Sequence, residues 1–312
     1  MCKDSYIHET VLLEEAVDAL NIVESGIYVD GTFGRGGHSQ KIIQSLGANG
    51  KLIVVDKDPQ AIATAQKMFA GDERCHVFHG SFAEVDEYLE AQGLAGRVNG
   101  VLLDLGVSSP QLDDSQRGFS FTNDGPLDMR MDSSKGETAA QWIATADAKD
   151  IAVVLKEYGE ERFAKRIAKF IVERREEEPI TTTGQLAAII SDAIPRKEKH
   201  KNPATRSFQA IRIYINRELD DLSDCLSKMF DVLALGGRLV VISFHSLEDR
   251  MVKRFMRDNS KVGKLPPGVP IVPEELQPKM KLASKAVKAG EIEVEQNPRA
   301  RSAVMRVAER IK

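Results

Sequence analysis

Apolar and polar positions alternate in two textures along this chain. In the first third, short apolar runs are strand candidates: Gly26-Ile27-Tyr28-Val29-Asp30, Lys51-Leu52-Ile53-Val54-Val55-Asp56, Cys75-His76-Val77-Phe78-His79 and Asn99-Gly100-Val101-Leu102-Leu103-Asp104-Leu105. The second and fourth are continuously apolar, as strands buried on both faces must be. Helical segments such as Pro59 to Phe69 lie between them, so the pattern is βαβα and predicts a parallel sheet.

From about Leu112 to Arg206 the strand-like runs vanish. Thr138-x-x-Gln141 and Thr182-x-x-Gln185 have the spacing of capping boxes and predict helix starts. Ile151, Val154, Leu155 and Tyr158 share one helical face, as do Leu186, Ile189, Ile190 and Ala193 before Pro195 stops the run. Glu173 to Glu178 reads as a solvated helix end. Strand texture returns at Gly236 to Phe244 and again at Arg301 to Ala308, and Pro266-Pro267 through Pro278 reads as an irregular surface loop. The simplest account is an α/β fold with one sheet, built from residues 1–112 and 207–312, interrupted by an all-helical insertion at 113–206 that is a candidate for substrate recognition.

Composition narrows this picture without redirecting it. A chain of 312 residues, 42% hydrophobic, has the size for a substantial core. The net charge of -4 argues against a globally basic nucleic-acid binder but leaves room for a local basic patch. Three scattered cysteines, with no C-x-x-C, suit reduced thiols and give neither a disulfide framework nor a metal site. The histidines show no metal-ligand spacing either, so no metal is expected. The N-terminal stretch lacks the basic flank and apolar run of a signal peptide. No apolar run approaches the ~18 residues of a membrane helix. A cytoplasmic protein without membrane partners is expected.

The first strand runs into Asp30-Gly31-Thr32-Phe33-Gly34-Arg35-Gly36-Gly37-His38-Ser39. Glycines there let backbone approach a ligand, and open α/β sheets bind ligands beyond the carboxyl ends of their strands. The dinucleotide fingerprint fails because Ser39 stands where its third glycine belongs. The pattern suits a cofactor with a nucleoside and an amino-acid tail but no pyrophosphate. Asp56, ending the second strand, has the chemistry to accept both ribose hydroxyls; the alternative is a solvated strand-end acid. Asp58 reads as surface or a helix cap. Phe82 stands where an adenine would stack, although such a ring is more often core.

After the fourth strand comes Asp104-Leu105-Gly106-Val107-Ser108-Ser109-Pro110-Gln111-Leu112-Asp113. Methyltransferases acting on amines carry an acidic or amide residue with prolines at this point, where rigid backbone presents acceptors to the two hydrogens of an exocyclic amine. Such an amine is a poor nucleophile because its lone pair is delocalised into the ring. Orientation and electrostatics lower the barrier, and no covalent nucleophile is required. Asp104 is assigned to the cofactor, Ser108, Ser109 and Pro110 to the substrate, and the catalytic proton acceptor is left unassigned.

These segments, with Pro126-Leu127-Asp128-Met129-Arg130-Met131-Asp132, Ile242-Ser243-Phe244-His245-Ser246-Leu247-Glu248-Asp249-Arg250 and Asn297-Pro298-Arg299-Ala300-Arg301-Ser302-Ala303, resemble the successive motifs of the bacterial ribosomal RNA small subunit methyltransferase H family. The resemblance runs over essentially the whole chain, Glu9 to Glu15 included; Ala300 stands where serine is expected. It implies a Rossmann-like, S-adenosylmethionine-dependent methyltransferase with an inserted helical domain. The implied activity is methylation of the N4 of a cytidine in the decoding region of 16S ribosomal RNA, on the RNA or the 30S subunit, with a homodimer allowed. It places cofactor contacts on Gly36, Gly37, His38, Asp56, Phe82, Asp104 and Gln111.

The densely basic run Arg196 to Arg206 is either a solvated face or a phosphate contact. Base-directed chemistry needs an unstacked base, for which Asn202, Arg206 and Phe208 are candidate partners. His245 is as well suited to a substrate role as to a structural one. Asp128 and Arg130 either pair with each other or line a base pocket. Rival readings are a nicotinamide oxidoreductase, disfavoured by the broken fingerprint, a non-enzymatic RNA-binding assembly factor, and a DNA amino methyltransferase, whose Asp/Asn/Ser-Pro-Pro-aromatic tetrad is absent.

Overall fold

The computed structural model describes residues 10–195, 202–262 and 273–312. The strands are β1 (Ile27–Asp30), β2 (Lys51–Asp56), β3 (Cys75–His79), β4 (Val98–Asp104), β5 (Leu233–Ser243), β6 (Met280–Leu282), β7 (Val287–Lys288) and β8 (Val304–Arg310). The helices are α1 (Leu13–Leu20), α2 (Gly37–Ser45), α3 (Pro59–Met68), α4 (Val85–Ala91), α5 (Ser109–Asp113), α6 (Ala139–Thr145), α7 (Ala148–Gly159), α8 (Ala164–Glu177), α9 (Thr183–Ala193), α10 (Thr205–Asn216), α11 (Glu218–Val232), α12 (Ser246–Asn259) and α13 (Glu291–Gln296). None of the described helices is long and apolar enough to cross a membrane.

Two compact units result: residues 1–106 with 219–312, and residues 107–218. All of 113–206 falls within the second. That unit extends further at both ends because Val107, Leu112, Phe208 and Ile211 pack into its helical core.

The first unit is an α/β sheet in the order β3-β2-β1-β4-β5-β8-β6, with β7 also paired to β8. β3, β2, β1, β4 and β5 are mutually parallel, and β8 returns antiparallel to β5. The apolar runs serve both faces. Val29, Ile53, Val101 and Leu103 fill one core, while Tyr28, Leu52, Val54 and Leu102 fill the other. β1 has β2 on one side and β4 on the other, so chain connections diverge there. A crevice for ligand forms at such a switch point in open α/β sheets.

The alternation marks β2 and β3 to the residue, and β1 and β4 to within one. β5 begins at Leu233, not Gly236, since Leu233 pairs with Val98 across a register shift that the apolar count passes over. β8 begins at Val304. The expected Arg301-Ser302 start is instead a 3-10 turn, Pro298–Ser302, opened by Asn297, whose Oδ1 accepts Arg299 N–H at 3.1 Å. Pro266 and Pro267 lie outside the described residues.

In the second unit, the Thr138 and Thr182 capping boxes open α6 and α9. Ile151, Val154 and Leu155 of α7 and Leu186 and Ile190 of α9 are buried together in its core. Glu173, Glu176, Glu177 and Glu178 are exposed at the end of α8.

Candidate functional site

At the carboxyl ends of the parallel strands the chain turns a glycine loop from β1 into α2. Gly36 sits at φ +81°, a left-handed conformation that favours glycine, and caps α2. Gly31 lies so close to β4 and the β3 turn that a Cβ there would come within 2.5 Å of Leu103 Cδ2 and 3.0 Å of Phe82 Cβ. The loop is strapped by side chains. Asp30, 1% exposed, accepts Ser39 Oγ–H at 2.5 Å and Thr32 N–H at 3.2 Å. Thr32 Oγ1 accepts Asp104 N–H at 2.6 Å, tying the loop to the end of β4.

Asp56 is part of the same strap. Its Oδ2 accepts Gly34 N–H and its Oδ1 accepts Asp58 N–H, both at 2.8 Å. Asp58 is buried and caps α3 through Gln60 N–H, so of its two expected places it takes the cap. Burial raises both Asp30 and Asp56 to about 6, against the hydrogen bonds they accept. Asp104 is pushed well above the usual carboxylate range, by burial first and then by the charges of Asp30 and Glu248. Its Oδ2 lies 3.9 Å from Nδ1 of the buried His38. Its Oδ1 is sealed from solvent with no hydrogen-bond partner.

Phe82 follows β3 in a turn capped by Ser81, whose Oγ–H also bonds the buried Asp221, itself 2.5 Å from Lys57 Nζ. The ring of Phe82 is half-buried against the sheet core. His245 is the N-cap of α12. Glu248, 2% exposed, accepts Phe244 N–H at 3.0 Å and His245 N–H at 3.3 Å through Oε2. Its Oε1 stands 3.0 Å from His245 Nε2 without hydrogen-bond alignment. Glu248 was absent from the expected site, although His-Ser-Leu-Glu has the three-residue offset of a capping box. Asp30 and Thr32 were missed as loop straps.

The first unit thus brings together Gly36, Gly37, His38, Asp56, Phe82 and Asp104 at one end of the sheet, with His245 at the end of the neighbouring strand β5. The other expected residues belong to the second unit. Ser108 caps α5, with Ser109 and Pro110 as its first turn, and Ser108 N–H donates to Oε1 of the buried Gln111 at 2.9 Å. Asn202 is exposed and its Oδ1 accepts Ala204 N–H at 2.9 Å, shaping the turn into α10, where Arg206 is half-buried. Phe208 is 4% exposed, packed edge-on against Phe121 with ring centres 4.8 Å apart. It is therefore core in this structure and is not presented to a base. Asp128 and Arg130 pair with each other, bidentate at 2.8 Å, around Met129. Residues 196–201, most of the basic run, lie outside the described residues.

A cofactor with a cationic sulfonium, an ammonium and a ribose diol fits the chemistry of this donor set. Three carboxylates stand at the ends of adjacent strands, one keeps a buried oxygen without a partner, and the glycine loop leaves no room for side chains at Gly31. A doubly wound sheet with such a loop and without the pyrophosphate fingerprint defines an S-adenosylmethionine-dependent methyltransferase. Residues 5–311 match the MraW methylase family, and the chain belongs to it. A curated relative, ribosomal RNA small subunit methyltransferase H of Thioalkalivibrio sulfidiphilus, is 57% identical over 310 residues, which is 99% of each chain. A putative rRNA methylase of Clostridium thermocellum aligns over 98% of this chain and 99% of its own, at 12% identity and a TM-score of 0.44. A putative methyltransferase of Streptococcus mutans, solved in complex with SAH, aligns over 99% of each chain at 10% identity and a TM-score of 0.42.

Proposed function

We propose that this protein transfers a methyl group from S-adenosylmethionine to the N4 amino nitrogen of a cytidine in the decoding region of 16S ribosomal RNA, in the cytoplasm. Near-complete coverage by a 57% identical small-subunit rRNA methyltransferase carries the reading. When bound, the cofactor supplies an electrophilic methyl on sulfur. The chain's own residues supply position and field. Asp56, with lone pairs left beyond its two backbone bonds, accepts the ribose hydroxyls. Phe82 packs against the adenine, and Gly36, Gly37 and His38 form the wall of the loop. Asp104 directs its free Oδ1 at positive charge on the cofactor tail.

On the substrate side, His245, held at the β5 rim by the cap that Glu248 forms, faces the base. The helical unit serves substrate recognition, with Ser108, Ser109 and Pro110 in the turn that follows β4, and with Asn202 and Arg206 at the start of α10. Gln111 is committed to capping its own helix through Oε1. No covalent nucleophile is needed, because aligning a delocalised amine with the methyl and surrounding it with acceptors lowers the barrier by orientation and electrostatics.

The test is methyl transfer from radiolabelled S-adenosylmethionine to small subunits from a strain lacking this gene, followed by nucleoside analysis. Label in N4-methylcytidine is expected. Cofactor binding with no label in subunits, free RNA or DNA would sink the reading in favour of an assembly factor.

A further inference from the structure

On α12 the residues Arg250, Lys253, Arg254 and Arg257 are all exposed. Their spacing of i, i+3, i+4 and i+7 puts them on one face of the helix. In a chain of net charge -4, an acid of the helix meets that face only at its far end, at Arg257. Of the helix's acids, Glu248 is buried in its cap. Asp249 is taken up by Arg306, at 2.7 and 3.1 Å. Asp258 is the one exposed acid, at the far end, where its Oδ1 accepts Arg257 Nε–H at 2.7 Å. The opposite face of α12, with Val252 and Met256 buried and Met251 and Phe255 partly so, is packed into the sheet core. The helix therefore has no apolar face left to enter a bilayer, which removes the membrane-surface reading of a basic amphipathic helix.

The place of the stripe matters as much as its charge. α12 starts directly after His245, at the carboxyl rim of the sheet. β8 begins at Val304, opposite Ser243, the last residue of β5. The turn Pro298–Ser302 that precedes β8, with Arg299 and Arg301 exposed, therefore stands at that same rim. From Arg250 to Arg257 the helix rises about 10 Å.

We propose that the exposed face of α12, Arg250, Lys253, Arg254 and Arg257, extended at the rim by Arg299 and Arg301, tracks the phosphate backbone of the substrate RNA beside the target nucleotide. The inference rests on the reading of ribosomal RNA as substrate. It is separate from the basic run at 196–206. Arginine forks match phosphate oxygens bidentately, and such contacts hold register without reading sequence.

The test uses the full chain carrying Lys253→Ala with Arg254→Ala, both exposed, and a single Lys253→Gln. Binding to unmodified small-subunit rRNA is followed across a salt titration, with calorimetry of S-adenosylmethionine as the check on folding. The double variant is expected to bind RNA roughly tenfold more weakly, with the slope of log affinity against log salt reduced by about 1.4, and the single variant by about 0.7. KM for small subunits rises, and cofactor affinity stays at the wild-type value. Wild-type affinity and slope in both variants would overturn the proposal while leaving the methyltransferase reading intact. A loss confined to assembled subunits, absent with deproteinised RNA, would assign the stripe to an acidic protein and overturn it as well. Failure of the wild-type chain to bind or methylate the RNA would instead overturn the functional reading, and this inference with it.

Discussion

Asp56 holds Gly34 N–H on one oxygen and Asp58 N–H on the other, so this carboxylate shapes the glycine loop, and in the proposed function it also receives the cofactor ribose. Asp56→Ala is expected to weaken cofactor binding by about 10- to 100-fold, the loss of hydrogen bonds to a charged acceptor; unchanged affinity by calorimetry would sink the assignment. Burial raises Asp56 and Asp30 to about 6. A raised carboxylate is protonated in the folded protein below about 6, and the neutral form attracts a cationic ligand less. Cofactor affinity is accordingly expected to rise from pH 5 to 7.5 with a midpoint near 6. A flat calorimetric profile over that range would exclude the carboxylates as its charge partners. The position of Asp56 at the end of β2 beside the glycine loop was legible from the apolar run that precedes it; its two loop bonds were not. The strap role of Asp30 is not visible in the sequence, since its partner Ser39 lies on the next helix, out of reach of any spacing rule. Phe208 misled because an aromatic ring beside a basic run resembles a stacking platform. Ala204, Phe208 and Ile211, at helical spacing, were the available sign of core.

At the scale of elements, caps decide where the functional side chains stand. Glu248 bonds two backbone N–H groups ahead of α12 and keeps His245 at the rim. Glu248→Ala leaves those donors buried and unpaired, with an expected cost of about 1–3 kcal/mol in chemical denaturation; an unchanged midpoint would show that the cap is dispensable. Parallel strands buried on both faces announce themselves as unbroken apolar runs, which is why β2 and β3 were legible to the residue. β6 and β7 were not. They are three and two residues long at the sheet's edge, with Lys281, Leu282 and Lys288 exposed, and nothing in their pattern separates them from loop.

For the whole molecule, the sheet and the helical unit have separate hydrophobic cores, and of the expected cofactor residues all but Gln111 lie in the first. Cofactor at about 100 times its Kd should add about 2.7 kcal/mol to stability. Hydrogen exchange should slow in the segments after β1, β2, β3 and β4, and stay unchanged in α7 and α8. Protection confined to the helical unit would overturn the placement of the cofactor. The division into two textures was visible from periodicity alone. Its edges were not, because the helices at the border carry the same apolar stripes whichever core they join.

β8 is bonded on both sides, to β5 along one edge and to β6 and β7 along the other. Residues 304–310 thus fill a place in the sheet beside a strand that left the ribosome some sixty residues earlier. During synthesis β5 waits with a bare row of peptide groups, an open template for a foreign strand. A nascent chain stalled before Val304 therefore lacks the strand that joins β5 to β6 and β7, however complete its glycine loop.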